Sequence, residues 1–275
     1  MNNQYAKISV ISPSYNQGHF LKTNILSILE QNYPSVEHII IDGGSTDTTV
    51  DILKSFDDHI TYWVSEPDRG QSDALNKGLA QATGEIIGWQ NSDDFYLPGA
   101  FHLVGKIMGD NPAIDVLYGD FLYVDEEEKF VGSKKYAPCF DIREYLYVGA
   151  NISNQSVFFR RSALKRAGGF DVDLHLAMDF DLFLRLASFA NFKHVRAYLG
   201  GYRVHGEQKG QTLTGENAVE YKILREKMGI SVDEKIPWKA QYRGRKFYYR
   251  TRRNLLKFIY YPLYLLDPLC RGIRD

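Results

Sequence analysis

A four-residue apolar run, Ile86-Ile87-Gly88-Trp89, breaks off after one glutamine into four oxygen-bearing side chains, Asn91, Ser92, Asp93 and Asp94. The run has the length and branching of a buried strand. Adjacent carboxylates at a strand terminus repel each other and favour a cation, and hard oxygens suit Mg²⁺ or Mn²⁺. In an open α/β sheet, ligands bind at the carboxyl ends of the strands. A metal held there by few protein ligands is completed by phosphate oxygens. Asn-Ser-Asp-Asp is also ordinary turn chemistry, so one tetrad does not decide between a turn and a site.

Two upstream segments repeat the pattern. Ile8-Ser9-Val10-Ile11-Ser12 reads as a strand that runs into Pro13-Ser14-Tyr15-Asn16-Gln17-Gly18, and Leu21, Ile25, Ile28 and Leu29 then recur at helical spacing. Val36–Ile41 reads as a second strand, running into Asp42-Gly43-Gly44-Ser45-Thr46-Asp47-Thr48 before a helix carrying Val50, Ile52 and Leu53. The glycines of that loop permit close backbone approach, and its hydroxyls and Asp47 suit a helix cap. Three polar strand ends converging on one rim of a parallel sheet is the simplest geometry for all three.

Pro13-x-Tyr15-Asn16, Asp42-Gly-Gly-Ser-Thr-Asp47 and Asn91-Ser-Asp-Asp94 together resemble the nucleotide-binding half of a family 2 glycosyltransferase. The resemblance continues through Asp68-Arg-Gly-Gln-Ser-Asp73-Ala-Leu-Asn76-Lys77-Gly78, Gly168-Gly-Phe-Asp171, Met178-Asp179-Phe-Asp181 and Tyr202-Arg-Val-His205, covering roughly residues 7–210 in order. It is similar to members that assemble bacterial polysaccharides. It implies an α/β chain of the GT-A fold: one Rossmann-like nucleotide-binding half fused to an acceptor-binding half around a mostly parallel central sheet. Residues 1–235 would form that domain, with the nucleotide-sugar half at about 1–120 and the acceptor half at 121–235.

The same resemblance implies roles. Pro13, Tyr15, Asn16, Asp42, Gly43, Ser45, Asp73, Lys77, Asn91, Ser92 and Asp93 would bind the nucleotide sugar. Tyr15 would lie against the base, and Asp42 would accept the imide hydrogen of uracil, which favours a UDP-sugar. Asp93, with Asp94 and His205, would hold Mn²⁺ or Mg²⁺. Asp179 would deprotonate an acceptor hydroxyl, which implies an inverting transfer to a saccharide or polyprenyl-linked acceptor. The chain departs from the family twice: Asn91 stands where the acidic motif usually begins with Asp, and Met178 replaces the Glu that usually precedes Asp179.

Bland readings stand beside several of these. Asp47, Asp73 and Asp179 can cap helices, Tyr15 can be packing, and a lone histidine is usually a surface or core residue. Lys77 and Arg69 are the cations that could face a diphosphate, and Asn154-Gln155-Ser156 could hold the acceptor. The chain has no Walker loop and no GxGxxG fingerprint. A sugar nucleotidyltransferase, or a catalytically inactive scaffold at the membrane, remains as an alternative.

The 275 residues carry a formal net charge of −1, so no nucleic-acid partner is expected. Charge is uneven, however. Residues 239–275 hold ten Lys/Arg against two Asp, and the first 238 hold 23 Lys/Arg against 32 Asp/Glu. The tail, 236–275, joins Arg243–Arg253 to the apolar Leu255–Leu266, too short to span a bilayer. It reads either as a segment lying on an anionic membrane surface or as a helix packed on the domain. A linker is expected near Ser231–Trp238. Cys139 and Cys270 match no metal or redox spacing and read as unpaired thiols of a reducing compartment. Met1–Lys7 has no apolar core, so no secretory signal is expected. The resulting expectation is a cytoplasmic protein, peripheral on the inner face of the cytoplasmic membrane if the tail binds it.

Overall fold

The computed structural model describes residues 5–136, 140–142, 145–146, 152–209, 214–228 and 251. Cys139, Cys270, the expected linker and the basic tail apart from Thr251 lie outside the described residues.

Four strands open the fold: β1 (Ile8–Ser14), β2 (Val36–Asp42), β3 (Tyr62–Ser65) and β4 (Ile86–Trp89). Every residue of β1 and β4 is buried, as expected of strands covered on both faces. They pair in parallel in the order β3-β2-β1-β4. Ser14 stands opposite Asp42, Asp42 opposite Ser65, and Ile11 opposite Trp89. The register therefore brings the polar segments after β1, β2, β3 and β4 to one edge.

Helices cover both faces. Leu75 and Leu79 of α3 (Gln71–Gln81) pack with Ile11, Ile39 and Ile41. A Cβ on Gly78 would stand 2.3 Å from Ile11 Cγ2, so glycine sets how closely α3 lies on β1. On the other face, Leu21 and Ile25 of α1 (Gly18–Leu29) and Leu53 of α2 (Thr49–Ser55) enclose Ile40. Beside them, Phe101, Val104 and Met108 of α4 (Ala100–Asp110) enclose Ile8, Val10 and Ile86.

Beyond β4 the sheet becomes mixed. The further strands are β5 (Phe95–Tyr96), β6 (Val116–Val124), β7 (Phe130–Lys134), β8 (Val157–Arg160) and β9 (Phe192–Arg203). β8 runs antiparallel between β4 and β6, β6 pairs in parallel with β9, and β5 and β7 add antiparallel edges. The acidic run Glu126-Glu127-Glu128 forms the exposed β6–β7 turn. A 3-10 turn, Asn154–Ser156, packs against β4, β5, β6 and β9. Two helices follow β8, α5 (Arg161–Ala167) and α6 (Met178–Leu186), and α7 (Thr214–Lys227) comes after β9. Among the described residues, no helix is long and apolar enough to cross a membrane.

Candidate active site

Side chains of the first two loops tie them into one unit. Asn16, at φ 52°, donates its amide to Ser45 Oγ at 2.7 Å, and its side-chain oxygen accepts the Thr46 amide at 2.9 Å. Asp47 accepts Gly18 N at 2.9 Å through one oxygen and Thr49 N at 2.9 Å through the other. Burial works against its ionisation, but the bonds from Thr49 and Gly18 outweigh that and hold the carboxyl below its usual range. Asp47 thus ties the start of α1 to the start of α2. Tyr15 stands out from this platform with 63% of its surface exposed.

Several residues expected at the donor make contacts within the protein. Asp42 is fully buried, and its carboxylate accepts Ser45 N at 2.9 Å, Ser65 Oγ at 2.6 Å and the Ser45 hydroxyl. It braces the loop and presents no free edge to a base. Pro13 is buried within β1, so only backbone can act there. Ser92 is also fully buried, with its hydroxyl donated to Gln17 Oε1 at 2.5 Å. Asn91 spends its side-chain oxygen on Gln71 Nε2 at 2.7 Å and Trp89 Nε1 at 2.8 Å. Lys77 pairs with Glu66 at 2.8 Å and Asp73 at 3.7 Å, and Asp73 also meets Arg69 at 3.5 Å. These cations are balanced within the protein.

The acidic pair divides into two environments. Asp94 is 2% exposed and accepts the Arg203 amide at 2.9 Å. Burial first, then the charge of Asp93, pushes its carboxyl well above the usual range. It fastens β9 to the rim. Asp93 Oδ2 meets His205 Nε2 at 3.0 Å and accepts Gln17 Nε2 at 3.2 Å, while its buried Oδ1 has no protein partner. His205 is held by its ring against Phe20, centroids 4.6 Å apart. Among the described residues no three His, Cys, Asp or Glu side chains cluster as a complete metal centre. The Asp93–His205 pair still fits a divalent ion: the 3.0 Å between the donor atoms suits adjacent ligands of an octahedral ion with bonds of about 2.1 Å. The unpartnered Oδ1 adds a buried acceptor.

Asp179 lies in the first turn of α6, where Phe180 N donates to its Oδ1 at 2.6 Å. The residue keeps partial access to solvent, yet burial pushes its carboxyl up to about 6. Tyr145 and Tyr221 lie within electrostatic reach of it. The first turns of α3 connect this region to the rim. Gln71 holds Asn91, Ser72 Oγ donates to Leu174 O at 2.9 Å, and the Asn76 side chain donates to Phe170 O and accepts from Phe170 N. The loop leading to Asp179 and the loop carrying Asp93 are therefore anchored on the same end of one helix.

Sequence reasoning missed Gln17, which clamps Ser92 and Asp93 together, and Arg203, buried at 1% and bonded to Asp93 O, Glu126 O and Glu128. It also missed Asp68, whose carboxylate would stand 2.9 Å from a Cβ on Gly43 and is raised by burial. The signal for Gln17 and Arg203 was their place inside quoted motifs.

Solved glycosyltransferases of the GT-A type share this fold. S. aureus TarS 1-349 in complex with UDP-GlcNAc superposes with a TM-score of 0.66 at 20% identity, covering 83% of this chain and 68% of that one. The chain spans 41% of the longer TarS structure. The mannosyltransferase PcManGT from Pyrobaculum calidifontis, in complex with GDP-Man and Mn²⁺, matches with a TM-score of 0.58 at 18% identity, covering 86% and 68%. The chain belongs to glycosyl transferase family 2, whose model matches residues 9–167. The "Uncharacterized glycosyltransferase MT1564" of Mycobacterium tuberculosis is 32% identical over 184 residues, 66% of this chain and 68% of that protein. A "PGL/p-HBAD biosynthesis glycosyltransferase" of Mycobacterium bovis is 28% identical over 184 residues, 66% and 69% of the two chains.

Proposed function

We propose that the protein transfers a sugar from a UDP-sugar to a hydroxyl of a saccharide or lipid-linked acceptor, with inversion at the anomeric carbon. The observation that carries this reading is Asp179: a carboxyl raised to about 6 at a helix start braced to the rim that holds Asp93. A base works best with a pKa near the operating pH. The bound UDP-GlcNAc of the fold neighbour supports a UDP-linked donor.

In this reading Tyr15 offers its exposed ring to the base, and Asn16 and Ser45 hold the loops that receive the ribose. Asp68, which keeps an edge toward solvent beside Gly43, takes the recognition role that the buried Asp42 lacks. Asp93 and His205 would hold Mn²⁺ or Mg²⁺, which when bound supplies positive charge against the departing diphosphate. Asp179 accepts the proton of the acceptor hydroxyl as its oxygen bonds to C1. The bond from C1 to the diphosphate oxygen breaks, and its electron pair leaves with UDP. One displacement requires no glycosyl-enzyme intermediate, so the product carries the opposite anomeric configuration.

The test is Asp179→Asn, once a thermal-shift panel of nucleotide sugars with Mn²⁺ has identified the donor. Transfer should fall by about 10²–10⁴-fold, with UDP affinity by calorimetry unchanged. Wild-type transfer by this variant would remove Asp179 from the mechanism, and a retained anomeric configuration in the product would remove the single displacement.

A further inference from the structure

The segment entering α6 is tied from outside the region matched by the family model. Glu220 of α7 accepts three consecutive backbone amides: His175 N at 2.9 Å, Leu176 N at 2.9 Å and Ala177 N at 2.7 Å. Ala177 is the N-cap residue of α6, two positions before Asp179. The N-cap residue, an alanine, makes no side-chain cap bond, and Glu220 gathers the amides leading into the helix from more than 40 residues away. A carboxylate with three amide donors is a strong charge-assisted arrangement. Although burial opposes ionisation, the amides of His175, Ala177 and Leu176 outweigh it and hold the Glu220 carboxyl below its usual range.

The surrounding contacts make α7 a fixed platform for that carboxylate. Leu224 is 2% exposed and belongs to the main core. Arg225 donates to Leu146 O at 3.2 Å and lies over the Phe180 and Tyr221 rings at 5.2 and 5.3 Å. The Tyr221 ring meets Phe180, the residue after Asp179, edge-on at 5.0 Å. Residues 220, 221, 224 and 225 share one helical face, and that face is spent on the start of α6.

We propose that Glu220 is a positioning residue for transfer: by gathering the amides of residues 175–177 it sets where Asp179 stands relative to the acceptor hydroxyl. The inference rests on the reading of Asp179 as the base. Loss of the latch frees the helix start and lets Asp179 turn toward solvent, and a displacement of about 1 Å costs about 10²-fold in rate.

Two measurements on the full chain test it. In the first, ¹³C-carboxyl NMR follows the titration of Asp179 without any substrate. Glu220→Ala should bring its midpoint down from about 6 toward the ordinary aspartate value, and Glu220→Gln, which keeps an acceptor oxygen, should stand between. An unmoved midpoint in a folded Glu220→Ala variant overturns the latch. In the second, turnover of the donor identified by the thermal-shift panel is measured below the melting temperature of each variant. Glu220→Ala should lower kcat by about 10- to 100-fold with donor KM unchanged, and Glu220→Ala/Asp179→Asn should be no slower than Asp179→Asn alone. Wild-type kcat, a loss confined to KM, or losses that multiply in the double variant overturn it. A fully active Asp179→Asn enzyme instead overturns the base reading, whatever the NMR titration shows.

Discussion

A carboxyl that titrates near 6 accepts a proton only when ionised, so the rate should carry its signature. With Asp179 raised to about 6 by burial, kcat/KM should climb roughly tenfold per pH unit below that value and level off above about pH 7. A profile flat from pH 5 to 8 would deny Asp179 the role. Tyr15 makes a separate prediction. With 63% of its surface exposed it contributes little to the fold, so Tyr15→Ala should leave the melting temperature within about 2 °C of wild type. Base stacking is worth about 1–3 kcal/mol, so UDP affinity measured by calorimetry should drop about 5- to 150-fold. At this scale the sequence revealed residue types better than their partners. Motif order singled out Asp93 and His205, and the fold brings the two side chains to 3.0 Å of each other. That Asp42 and Ser92 face inward was not legible, because their partners Ser65 and Gln17 lie 23 and 75 positions away.

Among the elements, the nucleotide half was the readable part. Each of the first four strands carries an apolar core and leads into a polar segment, and helical spacing of apolar residues follows β1 and β2. The half beyond β4 depends on pairings that local pattern cannot express. β8 inserts antiparallel between β4 and β6, and the two-residue β5 exists only by pairing with β9. Glu220 reads as one more charged position on a polar helix until its three amide partners are seen. Close packing of the Asn154–Ser156 turn over β9 gives a further prediction. A Cβ on Gly200 would stand 2.0 Å from Gln155 O, a backbone atom that cannot swing aside. Gly200→Ala should therefore cost about 1–3 kcal/mol in chemical denaturation, whereas Gly206→Ala, with nothing within 4 Å of the added atom, should be near neutral.

Over the whole molecule, the base is held at the expense of stability. Asp179 has a higher pKa folded than unfolded, so the folded state binds the proton more tightly. This carboxyl does not penalise folding below about pH 4, and the penalty grows as pH rises to about 6 and is complete above it. Asp179→Asn should accordingly stabilise the protein by about 1–2 kcal/mol at pH 7.5, after allowing for partial solvent access, and by much less at pH 4.5. A variant destabilised equally at both pH values would contradict the burial argument. The larger claim is that Asp93, joined to His205 and backed by Gln17, receives the diphosphate end of the donor across from Asp179. Calorimetric titration of UDP into wild type and Asp93→Ala, each with and without Mn²⁺, tests it most directly. UDP should bind more tightly to the wild type when Mn²⁺ is present, and the variant should lose that gain. An Mn²⁺ effect of equal size in both proteins would contradict the claim.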